Sequence, residues 1–227
     1  MKTLRLLLGL VVLPWAFAAT PAPVPPVDLI FDTDMGNDVD DALALGVIHA
    51  LQNRGACRLV AVTLTNPDPL AGAYVDAVNT FYGRGDIPIG INPEAPRTSP
   101  SKFLKVAEAR DAAGAQVFPH DFDPARAARA VPLLRRLLAS AADHGIVLVQ
   151  VGFFTNFVRL IDSPADDISP LSGRELVAKK VRLLSVMAGA FQTVNGNNHI
   201  TEYNVRLDVP SAQKLADTAD IMLAHPI

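Results

Sequence analysis

The chain carries one cysteine, Cys57, so no intrachain disulfide can form. No metal-ligand spacing surrounds that cysteine, and it reads as a small buried apolar residue. Positive charge is not in excess: the formal net charge is −3 at pH 7. That is too mild, and of the wrong sign, for a phosphate backbone, so no nucleic-acid partner is expected. No apolar run reaches the roughly 20 residues that a membrane-spanning helix needs, so no stable membrane insertion is expected. Internal repeats and low-complexity core segments are lacking too. What is present is a chain of 227 residues, half of them hydrophobic and 19% charged. Such a chain buries a substantial core in one or at most two domains.

The N-terminus has the layout of a secretory leader. Lys2 and Arg5 precede an apolar run from Leu6 to Val12, and Ala16-Phe17-Ala18 supplies a small-x-small cleavage site. Residues 1–18 are therefore expected to be a signal peptide, and the mature protein to be exported, periplasmic or secreted. Residues 19–26, with Pro21, Pro23, Pro25 and Pro26, can neither pair in a sheet nor continue a helix and read as an extended linker.

From Val27 onward, strand and helix patterns alternate. Val27–Asp32, Arg58–Leu64, Ile87–Ile91, Gly145–Val151 and Val181–Met187 read as strands. Helical spacing covers Asp40–Gln52, Ala71–Tyr82, a stretch near Lys102–Ala112, Ala125–Asp143 and a segment starting at Asn156. This order predicts an α/β fold, an open and mainly parallel sheet with helices on both faces, over residues 27–227. Residues 92–123 form a long excursion of the kind that borders binding sites.

The most informative segment is Asp32-Thr33-Asp34-Met35-Gly36-Asn37-Asp38-Val39-Asp40-Asp41, five carboxylates within ten residues. It lies where a buried strand ends and a helix begins, the sheet edge at which open α/β folds bind ligands. Five like charges this close repel unless a counter-charge is present, and carboxylate oxygens suit a hard divalent cation. A helix cap needs one aspartate, not five. An EF-hand loop would need a preceding helix and a terminal glutamate that this segment lacks. Gly36 suits a sharp turn around an ion.

This stretch resembles the aspartate-rich signature of the inosine–uridine-preferring nucleoside hydrolases. The usual motif is more compact, Asp-x-Asp-Pro-Gly running almost directly into Asp-Asp. Here Met35 replaces the proline and two extra residues precede Asp40-Asp41-Ala42. Two later segments extend the resemblance. Gly152-Phe153-Phe154-Thr155-Asn156 matches a Gly-x-x-Thr-Asn turn, and Met187-Ala188-Gly189 with Asn197, Glu202, Asn204 and Asp208 matches a strand end followed by a loop Asn and Glu-x-Asn. The resemblance spans roughly residues 27 to 227 and implies a Rossmann-like nucleoside hydrolase core.

What it implies for function is hydrolysis of the N-glycosidic bond of ribonucleosides, with Ca2+ as cofactor and a small nucleoside as the partner. Asp34, Asp41 and the Val151 carbonyl resemble the metal ligands, and Asp34 also the base that takes a proton from water. Asp40, Asn66, Asn197, Glu202 and Asn204 resemble the ribose contacts, with Asp38 a rival to Asp40, and Asp208 is read as structural. An exported enzyme of this kind would scavenge nucleosides. Family members are longer and carry a His-Asp pair in their C-terminal third. This chain ends Leu223-Ala224-His225-Pro226-Ile227, so the resemblance implies a core incomplete at the C-terminus. The alternative reading is a catalytically impaired calcium- or ribose-binding relative. An Asp-x-Asp phosphatase is disfavoured, since the nearest cation to Asp34 in sequence is Arg54. Base preference is unreadable, and a homo-oligomer is left open.

Overall fold

The computed structural model describes residues 25–96, 100–190, 193, 196–197 and 201–218. The expected signal peptide, all of the linker but Pro25 and Pro26, and the terminal His225-Pro226 lie outside these described residues.

Among the described residues six strands form one sheet: Val27–Thr33 (β1), Cys57–Leu64 (β2), Ile89–Ile91 (β3), Ala128–Arg129 (β4), Ile146–Gln150 (β5) and Val181–Val186 (β6). Every pairing is parallel, and the order across the sheet is β4-β3-β2-β1-β5-β6. The chain thus moves outward from β1 to β4, then crosses back to the far side of β1 to make β5. In open α/β sheets such a reversal marks the ligand crevice, here at the C-terminal ends of β1 and β5.

Alternation along the strands feeds two cores. Ile30, Ala61, Ile146 and Leu148 face one side, where helices Ala130–Ser140 (α3), Thr155–Asp162 (α4), Gly173–Lys180 (α5) and Val209–Asp217 (α7) pack. Phe31, Leu59, Val62 and Leu64 face the other, under Asp40–Asn53 (α1) and Pro69–Phe81 (α2). Strands buried on both faces are why their sequences run apolar rather than alternating with polar residues. A short helix, Tyr203–Leu207 (α6), precedes α7.

The expected strands and helices are present, with revised bounds. The long helix expected over Ala125–Asp143 is α3 alone. Pro132 sits in its first turn, where no intrahelical N–H is needed, so the helix cannot extend further back. The freed Ala128 and Arg129 pair with Gly90 and Ile91 as an edge strand. The helical stretch near Lys102–Ala112 shrinks to a 3-10 turn, Leu104–Glu108, whose start is held by Ser101 Oγ accepting the Phe103 and Leu104 N–H groups at 3.2 and 3.1 Å.

Candidate active site

β1 delivers the acidic segment to the crevice. Thr33 closes the strand, and its carbonyl accepts the Thr65 N–H at 2.9 Å, tying β1 to the end of β2. On the other side the Asp32 carbonyl accepts the Val151 N–H at 2.8 Å. The two strand ends meet so closely at Gly152 that a Cβ there would lie 2.4 Å from the Asp34 nitrogen and 2.6 Å from the Thr33 carbonyl carbon. Backbone cannot yield to such a contact, which explains the glycine. Gly36 turns the chain with φ +121°, and a Cβ there would lie 2.5 Å from Leu104 Cδ1.

Past this turn, Asp38, Asp40 and Asp41 bring carboxylate oxygens within 4.8 Å of one another. Asp38 and Asp40 are exposed, whereas Asp41 is buried and accepts the Thr33 hydroxyl. Asp34 is buried beside them, and its Oδ2 has no hydrogen-bond partner among the described residues. Burial first, and then the Asp41 charge, raise the Asp34 carboxyl to about 8. Burial raises Asp41 to about 7 against the opposing Thr33 hydrogen bond. Asp38 rises to about 6, chiefly through its hydrogen bond with Asp40. Asp32, fully buried, is raised by burial to about 7; its Oδ1 accepts from the Thr63 hydroxyl and from Asn156 Nδ2 at 2.7 Å, and its Oδ2 has no partner.

Two other parts of the chain converge here. Asn204 is buried, and its Nδ2 donates to the Val151 carbonyl at 2.7 Å. Glu202 caps α6, its carboxylate accepting the Asn204 and Val205 N–H groups at 2.8 and 3.0 Å. Its charge is close enough to Asp38 to help raise that carboxyl. The structure thus brings Asp34, Asp38, Asp40, Asp41, Val151, Glu202 and Asn204 to one edge of the sheet. Asn66 is there too, with its side chain turned to the acidic loop: Nδ2 donates to the Met35 carbonyl at 2.9 Å, and Oδ1 accepts the Asp68 N–H at 3.0 Å. Asn197 is exposed, and most of the residues flanking it lie outside the described set. Asp208 is buried at the start of α7.

Sequence reasoning assigned no role to Thr33, Asp32 or Asn156. Asn156 lies in the Gly-x-x-Thr-Asn segment, and that was its only signal. In the fold it ties α4 to β1 through Asp32 and also donates to the Leu64 carbonyl at 3.3 Å.

The donor set fits a hard divalent cation. Its oxygens come from carboxylates and a backbone carbonyl, the chemistry calcium takes. Within this donor set, the buried Asp34 Oδ2 has no partner among the described residues. Burial first, and then the neighbouring carboxylates, raise these carboxyls, and a bound cation would favour their ionised forms.

A parallel α/β sheet with an acidic cluster at the switch between β1 and β5 is the architecture of an open α/β protein whose ligand site lies at that edge. The sequence matches the family described as inosine-uridine preferring nucleoside hydrolase over residues 29–225, and the chain belongs to that family. No curated protein matches it. Among solved structures, it is similar to the type III effector protein XopQ, complexed with adenosine diphosphate ribose, at TM-score 0.64 and 20% identity, over 88% of this chain and 55% of that one. It is also similar to a plant nucleoside hydrolase, PpNRh1, at TM-score 0.58 and 27% identity, over 86% of this chain and 58% of that one. A purine-preferring ribonucleoside hydrolase from Gardnerella vaginalis matches at TM-score 0.56 and 18% identity, over 85% and 58% of the two chains. The chain thus spans little more than half the length of these structures.

Proposed function

We propose that this chain hydrolyses the N-glycosidic bond of ribonucleosides, releasing ribose and a free base. The observation that carries this reading is Asp34: a buried carboxylate with an open Oδ2, in a crevice ringed by Asp38, Asp40, Asp41, Glu202 and Asn204. Family membership and the likeness to a plant nucleoside hydrolase support the same chemistry.

The residues divide by task. Asp34, Asp41 and the Val151 carbonyl would hold a calcium ion, which when bound lowers the pKa of water and fixes it in place. Asp34, once ionised, accepts the proton of the attacking water at Oδ2. Asp40 and Glu202 accept hydrogen bonds from the ribose hydroxyls, and Asn204 and Asn197 offer amide donors and acceptors to them. Asn66 positions the acidic loop in the described geometry and reaches the sugar only if that amide turns. The bond breaks through an oxocarbenium-like state, and carboxylates around the sugar favour its developing positive charge. The N-terminal leader makes the mature chain an exported protein, and the substrate a small nucleoside met outside the cytoplasm.

Ribose release by the purified mature chain, with and without calcium and against Asp34→Asn, tests this. Release that needs calcium and is lost in the variant is the expected result. Calcium binding without release would instead make the chain a binding-only relative.

A further inference from the structure

We propose that the N-terminal end of α3 forms a second ligand site, which takes a phosphate group. A cavity of about 260 Å³ opens there, lined by Ile91, Asn92, Glu94, Arg129, Ala130 and Arg159 among others. β3 ends at Ile91 and β4 at Arg129, so the cavity lies on the same C-terminal edge of the sheet as the acidic crevice, with β2 between β3 and β1. Its charge is of the opposite sign: two arginines and one acid line it.

Four features point to an oxyanion. Arg129 is exposed on a two-residue edge strand and makes no ion pair among the described residues. Arg159 reaches over the cavity from α4, held by Glu94 at 2.6 Å. α3 is 11 residues long and no side chain caps it, so its first N–H groups have no partner within the helix or from a cap. Pro132 donates nothing and the Ala130 N–H follows β4 in its ladder with Ile91, leaving Val131 to supply a donor at this end.

The fourth feature is Asn92, only 5% exposed. Its Oδ1 accepts the Glu94 N–H at 3.1 Å and an Arg159 Nη1 hydrogen at 3.4 Å, which fixes which end of the amide is oxygen. The other end, Nδ2, is a buried donor with no acceptor among the described residues. Buried donors are normally paired, and no acceptor among the described residues reaches this one. Two guanidinium groups, a helix N-terminus and a buried amide donor together match the several oxygens of a phosphate. The group can come as inorganic phosphate or on a phosphorylated sugar.

The test is titration of the full chain with inorganic phosphate by calorimetry, at low ionic strength, with chloride at matched ionic strength as the blank. EDTA is present throughout, so that a cation at the acidic crevice cannot report. Saturable binding is expected, weakened about tenfold in Arg129→Gln, which removes an exposed side chain only, and tightened in Glu94→Gln, which removes the competing acid. Ribose 5-phosphate in a parallel titration separates the sources: equal affinity assigns free phosphate, and tighter binding assigns a phosphorylated sugar. The absence of saturable binding, or binding that neither variant alters, would overturn the proposal.

Discussion

Asp34→Asn separates two demands on one position. In the metal-free protein this carboxyl is raised to about 8 by burial and by Asp41, so above that pH folding must keep a buried charge among like charges. An amide of the same shape removes that cost. We expect Asp34→Asn to raise the melting temperature of the metal-free protein at pH 8 by a few degrees, roughly 1–2 kcal/mol for a chain of this size. Ribose release should fall in the same variant by a factor of about 10²–10⁴, the worth of a general base. Melting in EDTA beside an activity assay checks both. A variant less stable than the parent at pH 8 would mean that Asp34 is not held as a destabilising charge.

At the scale of elements, the segment between α4 and α5 hangs on one side chain. Arg135, fully buried on α3, forms an ion pair with Asp166 at 2.7 Å and donates to Ser163 Oγ and to the Ser169 and Leu171 carbonyls. Arg135→Ala is expected to cost about 3–5 kcal/mol, because it strands the carbonyls and empties a large buried volume. Asp166 is partly exposed, so Asp166→Asn should cost far less. Urea unfolding of the two variants decides the matter, and equal losses would count against this account.

The same segment shows what the sequence made legible. β1, β2 and β5 could be read from the apolar runs at their centres, Leu29–Phe31, Leu59–Val62 and Ile146–Val149, which strands covered on both faces carry. α5 could not, because only Leu176 and Val177 are its large buried side chains, amid Arg174, Glu175, Lys179 and Lys180. Its one readable mark was the Ser172–Glu175 capping box. The start of β3 was overread, since Pro88 has no N–H for a ladder and contributes only its carbonyl, which accepts the Val62 N–H at 3.0 Å. At the site, the aspartates were legible because they are adjacent in sequence. The contact between Asn204 and the Val151 carbonyl was not, since it joins residues that only the fold brings together. Asn66 was legible as a residue near the site, but its bonding to the Met35 carbonyl belongs to the turn at Gly36.

For the whole molecule, the carboxyls set a pH dependence whose sign depends on the cation. Asp32, Asp34 and Asp41 are raised to about 7, 8 and 7 from an ordinary 3.8. Between about pH 4 and pH 8 the native state therefore binds more protons than the unfolded chain, so stability falls as pH rises through that window. Asp166 and Glu175 act oppositely: Arg135 lowers the first and Ser172 the second, and their contribution is lost as pH drops below the ordinary carboxylate range. The metal-free protein should thus be most stable near pH 5. It should lose about 2 kcal/mol or more by pH 8, a fall of roughly 4–8 °C in Tm. Calcium bound at the proposed site is expected to reverse the slope, since it would bind the ionised carboxylates and stabilise the native state by mass action, more at pH 8 than at pH 5. Thermal melts across pH 4–9, in EDTA and then in excess calcium, measure both curves. If the metal-free Tm instead climbs steadily from pH 5 to pH 8, these carboxylates carry their charge without a cation, and the case for a metal in this crevice fails with it.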